Sequence, residues 1–558
     1  MRLIVLLFSF LLIHSCINSK QREAREPIST LETVETDGTS VDNDLSSIST
    51  KDFRAFKVLD SKNLTKEEIW KDANIVLDNF NEADYNKLKP YILDKDITTL
   101  QENRRDNKFT YVELVQFYLH RIKMFDREND LSLNAVISIN PNILEEAKQR
   151  DQELINKKWK HPIFGMPILL KDNVNAANMV TTAGAVALKN NRTKDAFITK
   201  QLKSKGALIL GKANLSEWAY FFCGDCPSGY SAVGGQTLNP YGRGIMDTGG
   251  SSSGSGVAVA ANFCAAAIGS ETSGSILSPA SQNSVVGLKP TVGLVSRTGI
   301  VPISSTLDTA GPMTKTVRDN AILLDAIYGE DQLDSKSIKV ESELGFYYDG
   351  LKTSSINGKR FGAPKRLMKD TLFTKALNVL KQQGAEIIEI EEEEIGLPNF
   401  LRLLNLDMKE DLPLYMANYA NSSISLRTVS DFITYNLKDS INTMPYGQRL
   451  FVGIQNDEGD AIFLERIKDT LKTNGKKYFD NPMANYNLDG FLSINNYHAG
   501  FAAVAEYPAI TVPMGYTGNG TPKGLTFIAQ RLQEKQVLEW AYNYEQASKA
   551  RVAPKAYN

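Results

Sequence analysis

An α/β fold is what this 558-residue sequence predicts, and three observations carry that reading. Continuous apolar runs at Pro167-Ile-Leu-Leu170, Leu208-Ile-Leu210, Pro508-Ala-Ile-Thr-Val-Pro513 and Gly524-Leu-Thr-Phe-Ile528 suit buried strands. Helical patterns stand among them: Thr110-Tyr-Val-Glu113 is a capping box, opening a helix that puts Val115, Tyr118, Leu119 and Ile122 on one face. The third observation is the stretch from Gly249 to Pro279, in which two serine- and glycine-rich turns flank Val257 to Ile268. Serine and glycine in bulk usually make a flexible linker. The segment between these turns is too apolar for that, so both turns are expected to be anchored to a packed core.

The remaining elements follow in chain order. Arg2 precedes an apolar run, Leu3 to Ile13, too short to cross a bilayer but suited to the h-region of a signal peptide. Ser15-Cys16 after it resembles a bacterial lipoprotein cleavage site, with residues 1–15 removed and Cys16 lipidated; an ordinary secretory signal is the alternative. Residues 16–50 are polar and read as a disordered tether, and 51–558 as the folded part. His120, on the helix after Thr110, reads as structural. A further helix is expected over Thr374 to Gln383, a solvated acidic run over Glu391 to Glu394, and a closing helix over Glu534 to Arg551.

Composition excludes several classes. With 63 basic and 65 acidic residues the net charge is −2, which leaves no electrostatic footprint for nucleic acid. The four cysteines are Cys16, Cys223, Cys226 and Cys264. Cys223-Gly-Asp-Cys226 is a lone C-x-x-C without two further ligands nearby, so no metal site is expected. A local disulfide and two inert thiols both fit it. Cys264 reads as a small buried core residue.

Glycines around a serine let the backbone approach a ligand and aim several N–H groups at one point, the local architecture of an acyl-transfer site. A serine nucleophile needs a base. The four histidines are His14, His120, His161 and His498, and no local motif links any of them to Ser275. Lys171 is the better base. A free lysine is protonated at neutral pH, but burial behind Pro167 to Leu170 would lower its pKa by desolvation. Strand alternation would turn the neighbouring Asp172 to the opposite face.

The motifs GGSSSGSG, GSETSGSILSPA and VVGLKPT, with GMPILLKDNV upstream and GLVSRTGIVPIS, LDTAGPM, YPAITVPMGY and KGLTFIAQ downstream, resemble the amidase signature of serine hydrolases. The resemblance runs from about residue 100 to 551, with a poorly matching stretch at about 335–485. It implies one large mixed, twisted β-sheet covered by helices on both faces, with that stretch as a smaller inserted lobe capping the active site. It implies a Ser-Ser-Lys triad of Lys171, Ser251 and Ser275, with a cis peptide at Ser251, and the two serines stand 24 positions apart as in the family. Ser252 would support this network, and the backbone N–H groups of Thr272, Ser273, Gly274 and Ser275 would form the oxyanion hole. Hydrolysis of a carboxamide through an acyl-enzyme, without metal or cofactor, is the implied activity.

Departures refine this. Glu271 replaces a common Asp and is expected to be structural. Ser273 stands where Gly, or Asp in the peptide-amidase branch, is usual. Leu277 replaces a frequent Arg, which argues against a substrate carboxylate close to the reacting amide. GSETxGSILSPA, Gly234-Gly-Gln-Thr237 and Asn239-Pro240 most resemble peptide-amidase-like members, implying release of ammonia from small or peptide amides. The alternatives are the ammonia-producing subunit of a tRNA-dependent amidotransferase, which an export signal opposes, and an inactive binding lipoprotein, which a fully occupied triad opposes. The expected setting is a periplasmic or cell-surface bacterial lipoprotein, touching membrane only through its anchor.

Overall fold

The computed structural model describes residues 56–127, 129–156 and 161–558. The expected signal peptide, Cys16 and the tether lie outside the described residues.

Among the described residues thirteen strands form in chain order: β1 Val136–Ile139, β2 Pro167–Lys171, β3 Leu208–Ala213, β4 Tyr230–Ser231, β5 Gly235–Gln236, β6 Ala266–Glu271, β7 Val286–Lys289, β8 Thr309–Thr314, β9 Arg360–Pro364, β10 Glu386–Ile390, β11 Gly490–Ile494, β12 Ala509–Tyr516 and β13 Pro522–Ile528. Eleven of them make one mixed sheet in the order β1-β3-β2-β6-β8-β7-β12-β13-β11-β9-β10, and β4 and β5 pair separately. β2 runs parallel to both β3 and β6, while β8, β7, β12 and β13 alternate in direction. Every residue of β2, β3, β6, β7 and β8 is buried, as strands covered on both faces require. Helices flank the sheet, which is the expected α/β architecture.

The Thr110 capping box forms, with Thr110 accepting from the Glu113 N–H, and the helix Tyr111–Phe125 buries Leu114, Val115, Tyr118, Leu119 and Ile122. His120 on this helix packs edge-on against Phe80 and tilted against Tyr85, a packing role. Two expected helices form with shifted ends, at Thr371–Gln382 and Glu534–Ser548. Of the acidic run, Glu391, Glu393 and Glu394 are exposed, while Glu392 pairs with His498 at 2.8 Å.

The stretch 335–485 divides. β9 and β10 in its first part extend the main sheet beside β11. The helices Phe400–Asn418, Val429–Leu437, Arg449–Asn456 and Ala461–Tyr486 build a second apolar cluster, in which Trp218 packs edge-on against Phe432. Cys223 and Cys226 belong to this cluster and form a disulfide; Cys264 is a buried free thiol of the main core. Among the described residues no helix is long and apolar enough to cross a membrane, and no cluster of His, Cys, Asp or Glu could hold a metal ion.

Candidate active site

Three segments converge at the C-terminal ends of β2 and β6. β2 ends on Lys171; the loop Gly249–Ser252 leads into the helix Ser253–Ala260; and the turn Thr272–Ser275 joins β6 to the helix Leu277–Gln282. Gly249 has φ +63°, and a Cβ there would sit 2.7 Å from Pro279 N, so close approach of the two serine-rich turns requires glycine. The Gly250–Ser251 peptide is cis. Ser252 N–H donates to Ser275 O at 3.1 Å, which stitches the turns together.

Lys171 is fully buried. Its Nζ donates to Ser251 Oγ at 2.8 Å, Ser270 Oγ at 2.9 Å and Ser270 O at 3.0 Å. Burial brings its pKa down to about 7, and the nearby carboxylates of Asp308 and Glu271 pull weakly the other way. Asp172 faces away, paired with buried Lys212 at 3.1 Å and hydrogen-bonded by Thr182 N–H at 3.0 Å. Its charge is thereby spent on Lys212 and does not hold Lys171 protonated.

Ser252 Oγ donates to Ser270 O at 3.0 Å and accepts from Ser270 N–H at 3.1 Å. The predicted supporting serine is therefore bound to the residue that grips Lys171. Ser275 is half-buried, and no hydrogen bond joins its hydroxyl to that of Ser251. Such contacts are often long without a substrate and tighten around one.

In the turn, the N–H groups of Thr272, Ser273 and Ser275 take part in no hydrogen bond among the described residues, whereas Gly274 N–H is drawn towards Glu271. Gly274 has φ +92°, and a Cβ on it would meet Asn496 Nδ2 at 3.0 Å. The buried Glu271 accepts from Ile276 N–H at 2.7 Å and Leu277 N–H at 3.0 Å, fixing the peptide units after Ser275. Its expected structural role is what these bonds perform. Burial raises its pKa, and the field of Lys289 opposes that shift; Lys289, itself buried, is brought down to about 8.

Sequence reasoning missed several residues here. Ser270 supplies two of the three acceptors around Lys171, and Asn173 Nδ2 donates to Ser270 Oγ at 2.9 Å. Ser216 N–H donates to Ser251 O at 3.0 Å. Thr272 Oγ1 donates to Asp308 at 2.5 Å, and Asp308 also accepts from Ile303 N–H and Ser304 N–H at 2.8 and 3.0 Å. Ser270 and Asp308 lie inside quoted motifs, GSETSGS and LDTAGPM, so position within a motif was the signal available. None of the described histidines reaches the site: His161 pairs with Asp325 at 3.2 Å, and His498 with Ser493 and Glu392.

The architecture matches a known class. The amidase family model matches residues 113–448. The sequence is 37% identical over 475 residues to a probable amidase of Arabidopsis thaliana, covering 81% of this chain and 89% of the relative. It is 31% identical to a glutamyl-tRNA(Gln) amidotransferase subunit from Caldanaerobacter subterraneus, covering 82% and 97%. The structure of native peptide amidase from Stenotrophomonas maltophilia superposes with TM-score 0.79 at 39% identity, covering 83% of this chain and 99% of that one. The chain belongs to the amidase family, and it is an amide hydrolase.

Proposed function

We propose that the protein cleaves a carboxamide through a serine acyl-enzyme, with Ser275 as nucleophile, Ser251 as bridge and neutral Lys171 as base. The observation that carries this is a fully buried amine with its pKa near 7, lying 2.8 Å from Ser251 Oγ. Once neutral, Lys171 keeps its two N–H groups for Ser270 and turns its lone pair to the Ser251 hydroxyl; it draws the Ser251 proton as Ser251 draws that of Ser275, and Ser275 Oγ attacks the carbonyl. The N–H groups of Thr272, Ser273 and Ser275, with Gly274 once released from Glu271, receive the developing oxyanion; a preorganised donor of this kind is typically worth about 3–4 kcal/mol. The protonated lysine then returns its proton through Ser251 to the leaving amine. Water repeats the cycle on the ester.

Small or peptide amides that release ammonia are the substrates we infer. The likeness to peptide amidase and the apolar Leu277 support this class. Two measurements test it together. A fluorophosphonate should label the protein and fail to label Ser275→Ala, and ammonia should be released from peptide amides in a panel that also holds aliphatic and aryl amides. Labelling of Ser275→Ala, or turnover of aliphatic amides alone, overturns the respective half. Turnover by the isolated chain would also set aside the amidotransferase reading, which the Caldanaerobacter relative keeps in view.

Export as a lipoprotein through Cys16 is supported by the apolar run at Leu3 to Ile13 and by the Cys223–Cys226 disulfide, a bond that persists in oxidising compartments. Cys16→Ser should move the protein from the membrane to the soluble fraction.

A further inference from the structure

A cavity of about 280 Å³ lies beside the turn that carries Ser275, and the reaction above uses none of its charged groups. Asn173, Ser270 and Thr272 wall its inner end. Asp411, Tyr415 and Asn418 close it from the helix Phe400–Asn418, where their spacing of four and three residues puts them on one face. Tyr415 ties this helix to the core, its hydroxyl donating to Asn175 Oδ1 at 2.8 Å.

The walls hold three carboxylates, Asp308, Asp334 and Asp411, against one guanidinium, Arg297. Arg297 is committed to Asp334, which accepts from its backbone N–H at 2.8 Å and its Nε at 2.9 Å. Asp308 is taken up by Thr272, Ile303 and Ser304. Asp411 differs. Among the described residues its hydrogen bonds come from Ser305 alone, through the N–H at 2.6 Å and the side chain; the fields of Arg297 and Lys468 reach it, but neither cation forms an ion pair with it. Lys468, which approaches the same helix, is held by Glu465 at 2.9 Å and lies 3.7 Å from Asp407.

A second, independent observation lies at the inner end. Asn173 is buried, lines the cavity, and its Oδ1 has no hydrogen-bond partner although its Nδ2 is bound to Ser270. A buried acceptor left open in this way carries a desolvation cost that a donor on a ligand would remove.

We propose that this cavity binds a cationic, donor-bearing group on the acyl side of the substrate amide, the ammonium of a free amino terminus being its simplest form, with Asp411 as counter-charge and Asn173 Oδ1 as a further acceptor. The inference rests on the amide-hydrolase reading above. An ammonium has three donors and no acceptor, which matches walls rich in acceptors. Val301, Ile303 and Leu414 supply apolar surface for the adjoining side chain. Burial, reinforced by Asp407 and Asp308, pushes the Asp411 carboxyl up to about 7, and a bound cation relieves that penalty.

The test uses three peptide amides of one sequence: alanyl-phenylalaninamide with a free amino terminus, its N-acetyl form and its N-succinyl form. The full-length protein should hydrolyse the free-amine form with kcat/KM at least tenfold above the acetyl form, about 1.4 kcal/mol, mainly through KM. The succinyl form should be the poorest. Asp411→Asn should cut the amine-to-acetyl ratio about tenfold, and Asp411→Lys should favour the succinyl form over the amine. Fluorophosphonate labelling counts intact sites in each variant, which separates a lost preference from a lost fold. Equal rates on all three amides, or ratios unmoved by both substitutions, overturn the cation site and leave the hydrolase standing. Silence on every amide, with no labelling at Ser275, overturns the hydrolase reading and the cation site with it.

Discussion

Replacing Lys171 by methionine separates what this residue does for the reaction from what it costs the fold. A lysine in water titrates near 10.5 and this one near 7. Each unit is worth about 1.36 kcal/mol, so keeping the ammonium in its buried site costs about 5 kcal/mol relative to water. The folded pKa lies below the unfolded one. Between pH 7 and 10.5 the unfolded chain therefore holds the extra proton, and stability rises with pH across that window. Below pH 7 both states are protonated and the penalty is constant. Methionine keeps the length of the side chain and removes the titration. In urea unfolding at pH 7 and pH 9, the wild-type protein should gain about 2 kcal/mol more than Lys171→Met on going to the higher pH. At pH 7 the variant should be at least as stable as wild type, although Ser251 loses one hydrogen bond and Ser270 two. Amide hydrolysis should fall at least about 10³-fold, within the range for loss of a general base in a cooperating set. Parallel pH dependences for the two proteins would show that Lys171 is not a displaced base, and retained activity would refute its role outright.

Other substitutions probe the remaining parts. Ser251→Ala should lower kcat/KM by about 10²–10⁴-fold with little change in KM, because the bridge acts on the chemical step; steady-state kinetics on a peptide amide reads this directly. Glu271→Ala should lower kcat more than ten-fold, because the Ile276 and Leu277 N–H groups lose the acceptor that fixes the turn after Ser275; an unchanged kcat would make that clamp dispensable. Trp218→Ala should destabilise by about 3–5 kcal/mol, since the ring is buried against Phe432 and Phe451 in the second apolar cluster; thermal unfolding measures it.

How far the sequence could be read depended on whether the signal was local. Strands β2, β3, β12 and β13 announce themselves as apolar runs, and the helix after Thr110 as a capping box with a periodic face. β1, at four residues, is too short to stand out, and β8 carries Gly311 and Pro312, which read as turn chemistry. β9 and β10 lie in the stretch that does not follow the family pattern, so their place in the main sheet was not visible. In the site, the motif placed Lys171 within reach of Ser251, and alternation along β2 correctly sent Asp172 away. Ser270, Asn173 and Asp308 act through contacts between strands and loops far apart in sequence. Asp411, 136 positions after Ser275, comes to line the cavity only because the helix Phe400–Asn418 folds across it.

In this mechanism an uncharged, desolvated amine drives proton transfer from Ser275. The pH dependence of the acylation rate, measured by rapid mixing with an aryl amide that releases a chromophore, tests it most directly. The rate should rise with pH, reach half its maximum near 7 as Lys171 loses its proton, and stay flat above about 8. An acylation rate independent of pH from 5 to 9, or one that climbs only near 10, would contradict it.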